Sequence, residues 1–132
     1  VEVRRAESPA EHLAADQIAA VAFGGPGPTE ARPRDDDLNN VVYVAYLGGN
    51  PVARASASFG EHGVTLFGGA TLPEARGHGA YRALVAARWE DAVARGTPVL
   101  VTQAGPMSRP ILAQLGFRDV CEIRILLDEF DR

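Results

Sequence analysis

The run Thr71-Leu72-Pro73-Glu74-Ala75-Arg76-Gly77-His78-Gly79-Ala80-Tyr81-Arg82-Ala83-Leu84 holds the residues best suited to chemistry in this chain. It reads as a strand end, a proline-marked bend, a glycine-rich loop and the first turn of a helix. Such a loop aims several backbone N–H groups and the positive end of a helix dipole at one point, which suits a phosphate. The glycines let the main chain approach a ligand without a Cβ in the way. Arg76, at the mouth, can add a charge-assisted contact. The expectation is a cofactor pyrophosphate site. Two familiar phosphate loops do not fit. No Gly-Lys-Ser/Thr follows a glycine at the P-loop spacing. The G-x-G-x-x-G dinucleotide fingerprint fails too, because Arg82 stands at its third glycine.

Composition bounds the alternatives. With 132 residues, 46% of them hydrophobic, the chain can bury one core, and it reads as a single domain, 1–132, that a longer protein could also carry. No apolar run approaches a membrane span, and no basic-then-apolar leader opens the sequence. The single cysteine, Cys121, leaves no internal disulfide and suits a cytoplasmic location. A formal charge of −4 argues against a nucleic-acid surface and favours amine partners. His12 and His62 are isolated, and no metal spacing links them.

The elements that must position the loop follow from patterning. Val1 to Arg5 reads as a short strand. Ser8-Pro9-Ala10-Glu11 is a capping box with proline at the first helical position. Leu13, Ile18, Val21 and Ala22 supply the helix's apolar face, and Gly24-Gly25 ends it. Pro26 to Asn40, with the acidic run Asp35-Asp36-Asp37, is a long loop, either a substrate lid or an irregular connection. Strands 41–47, 51–59 and 64–71 form consecutive hairpins that lead into the glycine loop. Tyr43 and Tyr46 fall on opposite strand faces. A helix over 80–95 buries Tyr81, Leu84, Val85, Trp89, Ala92 and Val93, with Gly96 as its C-cap and Arg82 and Arg88 turned to solvent or to phosphates. Pro98 to Thr102 reads as a strand buried on both faces, Ser108 to Leu115 as a helix, and Phe117 to Leu127 as extended chain that places Cys121 in the core.

This order, and the local sequences Pro73…Arg76-Gly77-His78-Gly79 and Leu115-Gly116-Phe117, resemble the GNAT superfamily of acetyl-CoA-dependent N-acyltransferases over roughly Val41 to Phe117. The resemblance implies an α/β (α+β) fold: a mixed, mainly antiparallel central sheet with helices on both faces and splayed central strands. It also implies acetyl-CoA as acyl donor, with the pyrophosphate on the amides of Gly77, His78, Gly79, Ala80 and Tyr81, and contacts from Arg76 and Arg82. The pantetheine arm is expected beside Ala70, Thr71 and Leu72, with Pro98 to Thr102 as the other wall of the cleft. The acceptor is a small-molecule or peptide amine, and family members often pair as homodimers through their final strands.

Departures concern proton transfer. Leu112 stands where the family's general-acid tyrosine is usual, and Gly105 where an asparagine often bonds the pantetheine. The stretches 64–71 and 99–102 hold no carboxylate to serve as base. Ser108 and Cys121 are the remaining candidates for catalytic groups, against plain roles as a helix cap and a core residue. Two functions stay open: N-acetyl transfer, or a non-catalytic domain that binds an acyl-CoA as a regulatory or structural unit.

Overall fold

The structure, a computed structural model, describes residues 1–30 and 39–121. It divides into two compact units, Val1–Thr102 and the part from Gln103 onward. Asp35 to Asp37 and the extended chain expected from 122 to 127 lie outside the described residues.

The first unit holds a sheet in the order β1 (Glu2–Arg5), β2 (Asn40–Leu47), β3 (Asn50–Phe59), β4 (Val64–Thr71), β5 (Leu100–Thr102). The first four strands pair antiparallel in sequence order, and β5 pairs parallel to β4. Strands form where Val, Tyr and alternating small residues favour a pleated surface, and Gly48 and Gly49, both at positive φ, make the tight turn between β2 and β3. Consecutive residues Tyr43-Val44-Ala45 and Ala55-Ser56-Ala57 are all buried. Successive side chains point to opposite faces, so both faces of the central strands are covered. Helices α1 (Pro9–Phe23) and α2 (Ala80–Ala94) supply that cover.

Helix α1 begins as its capping box requires. Ser8 Oγ accepts from the Glu11 amide (3.2 Å), and the Glu11 carboxylate accepts from the Ser8 amide (3.0 Å). The backbone donor at Ser8, ahead of other contributions, holds the Glu11 pKa below its usual range. The helix ends at Gly24 in the left-handed conformation. Its apolar face is narrower than the sequence suggests: Ala15 and Ile18 are buried, whereas Val21 and Phe23 are exposed.

Helix α2 corrects the sequence reading at two neighbours. Trp89, expected in the core, is 44% exposed, and Arg88, expected to face solvent or the phosphates, is only 3% exposed. The buried face is Ala80, Leu84, Val85, Arg88 and Ala92. The helix is tied to the sheet at its far end by Tyr43, whose hydroxyl donates to Asp91 (2.6 Å), and by Arg5, which pairs with the same carboxylate (3.2 Å). Burial, then the Asp91 bond, pushes the Tyr43 pKa well above the usual phenol range. Tyr46 lies on the opposite face beneath the Arg4 guanidinium. Strand β5 also differs from expectation: it is three residues long, with Val99 and Val101 exposed, so it is not buried on both faces.

In the second unit, α3 spans Arg109–Gln114, and Arg109 pairs with Asp119 (2.6 Å). Cys121 is exposed there rather than in a core.

Candidate functional site

Every helix begins with backbone N–H groups that lack an intrahelical partner. In α1 the Ser8–Glu11 pair satisfies two of them and places a carboxylate in the first turn. Helix α2 does neither. Its N-cap is Gly79, which offers no side chain, and its first turn holds no acidic residue. The amides of Gly77, His78, Gly79, Ala80 and Tyr81 donate to no group among the described residues, although the Gly79 carbonyl does accept from Ala83 (3.0 Å). The α2 start therefore carries neither a capping side chain nor a first-turn carboxylate to offset the positive end of its dipole.

The loop conformation depends on its two glycines. A short 3-10 turn, Pro73–Ala75, carries the chain off β4, with Ala75 buried as its anchor. Gly77 and Gly79 have φ of 83° and 80°, and His78 between them does not share the positive sign. Left-handed glycines in a turn ahead of a helix allow the main chain to come close to an anion. A Cβ built at Gly77 or Gly79 meets nothing within 4 Å. Their bareness thus serves backbone conformation and the space outside, and no internal neighbour presses on it. Arg76, His78 and Arg82 are exposed around this surface.

Beside the loop, the sheet opens. The β4–β5 ladder runs Val64↔Leu100, Thr65↔Val101, Leu66↔Thr102 and stops. From Phe67 to Thr71, β4 is paired only with β3 among the described residues. The Leu72 amide is committed to Val52 O (2.8 Å), so ladder alternation turns the main-chain groups of Thr71 toward the open edge. Within the stretch expected to meet a pantetheine arm, Thr71 offers that edge its backbone, Ala70 is buried, and Leu72 is already paired on the β3 side.

Strand β4 is irregular where it leaves β5. Register shifts between Arg54 and Ser56, and Gly68 sits at φ 65°. Its carbonyl accepts from Arg54 Nη1 (3.1 Å), while Arg54 Nη2 donates to Ser56 Oγ (2.9 Å). A Cβ at Gly68 would lie 2.8 Å from Arg54 Nη1, so only glycine lets the guanidinium this close. Ser56 also receives the buried Arg88: Arg88 Nη1 donates to Ser56 O (3.1 Å) and Nε to Leu84 O (3.0 Å). Desolvation lowers the Arg88 pKa to about 10, which keeps it charged at neutral pH.

The ten residues expected to hold a cofactor, Ala70–Leu72 and Arg76–Arg82, all lie in the first unit, on one strand end, loop and helix start. The catalytic candidates Ser108 and Cys121 lie in the second. Ser108 precedes α3 in right-handed helical geometry, and its side chain does not cap that helix. Leu112 is buried within α3. The described residues contain no group of three or more His, Cys, Asp or Glu that could hold a metal, and no helix among them is long and apolar enough to cross a membrane.

Solved structures similar to this chain share its overall fold. AAC(6')-Iy, in complex with the bisubstrate analogue CoA-S-monomethyl-acetylneamine, superposes with a TM-score of 0.74 at 18% identity, covering 98% of each chain. The chain has the GNAT fold. A second structure with this fold, a transcriptional regulator from Bacillus halodurans, matches with a TM-score of 0.74 at 20% identity over 97% of this chain and 99% of that one. A GCN5-related N-acetyltransferase from Ralstonia eutropha matches with a TM-score of 0.60 at 19% identity, over 67% of this chain and 65% of that one. No protein-family profile and no curated sequence matches. Within the GNAT fold, the glycine loop and the β4 edge were legible in the sequence; the burial of Arg88 was not. Its spacing from Leu84, Val85 and Ala92 marked the face, but its charge argued for solvent.

Proposed function

We propose that the chain is an N-acetyltransferase, moving an acetyl group from acetyl-CoA to a primary amine by direct attack. The observation that carries this reading is the run of amides from Gly77 to Tyr81, unpaired among the described residues, at an acid-free, uncapped helix start. A diphosphate is the ligand class that such a surface holds best. Gly77, His78, Gly79, Ala80 and Tyr81 would hold it through backbone N–H groups, and Arg76 and Arg82 through charge. Thr71, on the open edge of β4, would pair with the amides of an extended arm as a neighbouring strand does. The cofactor supplies an activated thioester. The amine nitrogen bonds to the acyl carbon, the carbon–sulfur bond breaks, and the amine proton ends on free thiol or water. Holding amine and thioester in line is the main task left to the protein, and it can supply much of the acceleration.

No carboxylate stands on β4 or β5, and Leu112 and Gly105 offer no acid. A positioned acid or base adds only ~10²–10⁴-fold, so transfer survives without one. Ser108, whose hydroxyl α3 does not use, and the exposed thiol of Cys121 are the groups proposed to protonate the leaving sulfur. The same missing groups favour a second reading, an acyl-CoA-binding regulatory domain, and one structural neighbour is described as a transcriptional regulator.

Calorimetric titration with acetyl-CoA and desulfo-CoA tests the shared premise, and thiol release across a panel of amines separates the two readings. Gly79→Glu should abolish acetyl-CoA binding while the protein stays folded, since the new side chain meets no internal neighbour and the positive φ there adds only local strain of roughly 1–2 kcal/mol. Normal binding by that variant would remove the loop assignment.

A further inference from the structure

Arg88 is a buried cation without a counterion among the described residues. It is 3% exposed, and its hydrogen bonds go to two backbone carbonyls, Leu84 O and Ser56 O. No carboxylate pairs with it among the described residues; the charged and titratable groups that influence it are Tyr81, Tyr43 and the second arginine, Arg54. An unpaired buried charge is costly, and an apolar residue of similar volume would fill the same space more cheaply. Hydrogen bonding to Ser56 O needs a donor but does not need a full charge.

The direction of the side chain matters. By donating Nε to the carbonyl one turn back, Arg88 folds toward the start of α2 rather than away from it. Its guanidinium therefore lies between the level of Leu84 and that of its own Cα. With the usual helical rise, that is roughly 6–12 Å along the axis from Ala80. The path runs through helix and sheet, where the field is screened less than through water.

We propose that Arg88 is a remote affinity determinant for the diphosphate: a buried positive charge that reinforces the start of α2 from behind, without touching the ligand. The inference rests on the acetyl-CoA reading above. Unlike the exposed Arg76 and Arg82, Arg88 acts from a fixed position inside the protein. Its ligand class is a multiply charged anion, and it adds nothing toward a neutral thioester.

The test compares three variants with the wild type. Arg88→Gln keeps a donor and removes the charge, Arg88→Lys keeps the charge, and Arg88→Met matches the bulk without either; Met serves as the uncharged variant if Gln does not fold. Binding of acetyl-CoA is measured by calorimetry, and binding of S-acetylpantetheine, which lacks the diphosphate, by thermal shift. The uncharged variants should lose acetyl-CoA affinity by about tenfold, a modest factor because the loop itself is exposed, with S-acetylpantetheine unchanged and Lys within about threefold of wild type. Equal weakening toward both ligands would assign Arg88 a purely structural role, and wild-type acetyl-CoA affinity in the Gln or Met variant would remove any role; either overturns the proposal while leaving the acetyl-CoA site standing. A wild-type protein that binds no acetyl-CoA overturns both.

Discussion

Tyr43 shows how one polar atom fixes the helix that bears the loop. The residue is buried, and its hydroxyl joins Asp91 and, through it, Arg5, which links β2, α2 and β1. Tyr43→Phe deletes the donor but leaves Asp91 its arginine partner. We expect a loss of about 1.5–3 kcal/mol in urea unfolding, the range for a hydrogen bond to a charged group. The pH profile has a defined sign. The folded-state pKa is raised, so the unfolded chain releases its proton first, near the ordinary value of ~10. The contribution is complete below that pH and falls as pH rises above it. Alkaline unfolding should be steeper in wild type than in Tyr43→Phe, which thermal melts between pH 9 and pH 11 can read. At this scale sequence reasoning was least reliable. Arg88 and Trp89 exchange their expected places because composition assigns guanidinium to water and indole to core, whereas helix phase, set by Leu84, Val85 and Ala92, decides.

The two long helices present the same problem at their starts and answer it in opposite ways. Ser8 and Glu11 close α1, so Ser8→Ala should cost about 1 kcal/mol at neutral pH. Because the Glu11 pKa is lowered on folding, its share is present above the unfolded value and disappears as pH falls through the folded one. The Ser8→Ala penalty, measured by chemical denaturation, should therefore shrink below about pH 4. Capping residues lie next to each other in sequence, which is why α1 was readable there; so was α2, through its glycines. β5 was not. Its apolar run predicts burial, but only three residues pair, and neither Val99 nor Val101 is covered. Run length reports apolar content and not the number of neighbouring layers. The Gly68 irregularity was equally hidden, since it exists to admit Arg54 from the next strand.

Among the described residues, β1 to β5, α1, α2 and the glycine loop belong to Val1–Thr102, while α3 and the groups proposed for proton transfer belong to the second unit. Ligand binding to the native state alone stabilises it by RT ln(1 + [L]/Kd), about 2.7 kcal/mol at a hundredfold excess over Kd. Acetyl-CoA should therefore raise the melting temperature in a concentration-dependent way. Amide hydrogen exchange gives the finer readout. Gly77 to Tyr81 and Thr71 should exchange quickly in the free protein and slow on addition of acetyl-CoA, while Leu72, already bonded to Val52 O, should change little. Unchanged exchange at Gly77 to Tyr81 under saturating ligand would place the binding surface elsewhere.

The empty space above Gly77 and Gly79 has a practical corollary. Most substitutions that disable a protein do so by loosening it, so inactivity and degradation arrive together. Here a bulky residue encounters only solvent, at the expense of local backbone strain of roughly 1–2 kcal/mol. Under the proposed acetyl-CoA reading, the loop therefore allows a variant that persists at near-normal abundance yet binds no cofactor, able to occupy any complex the wild type joins while contributing no turnover.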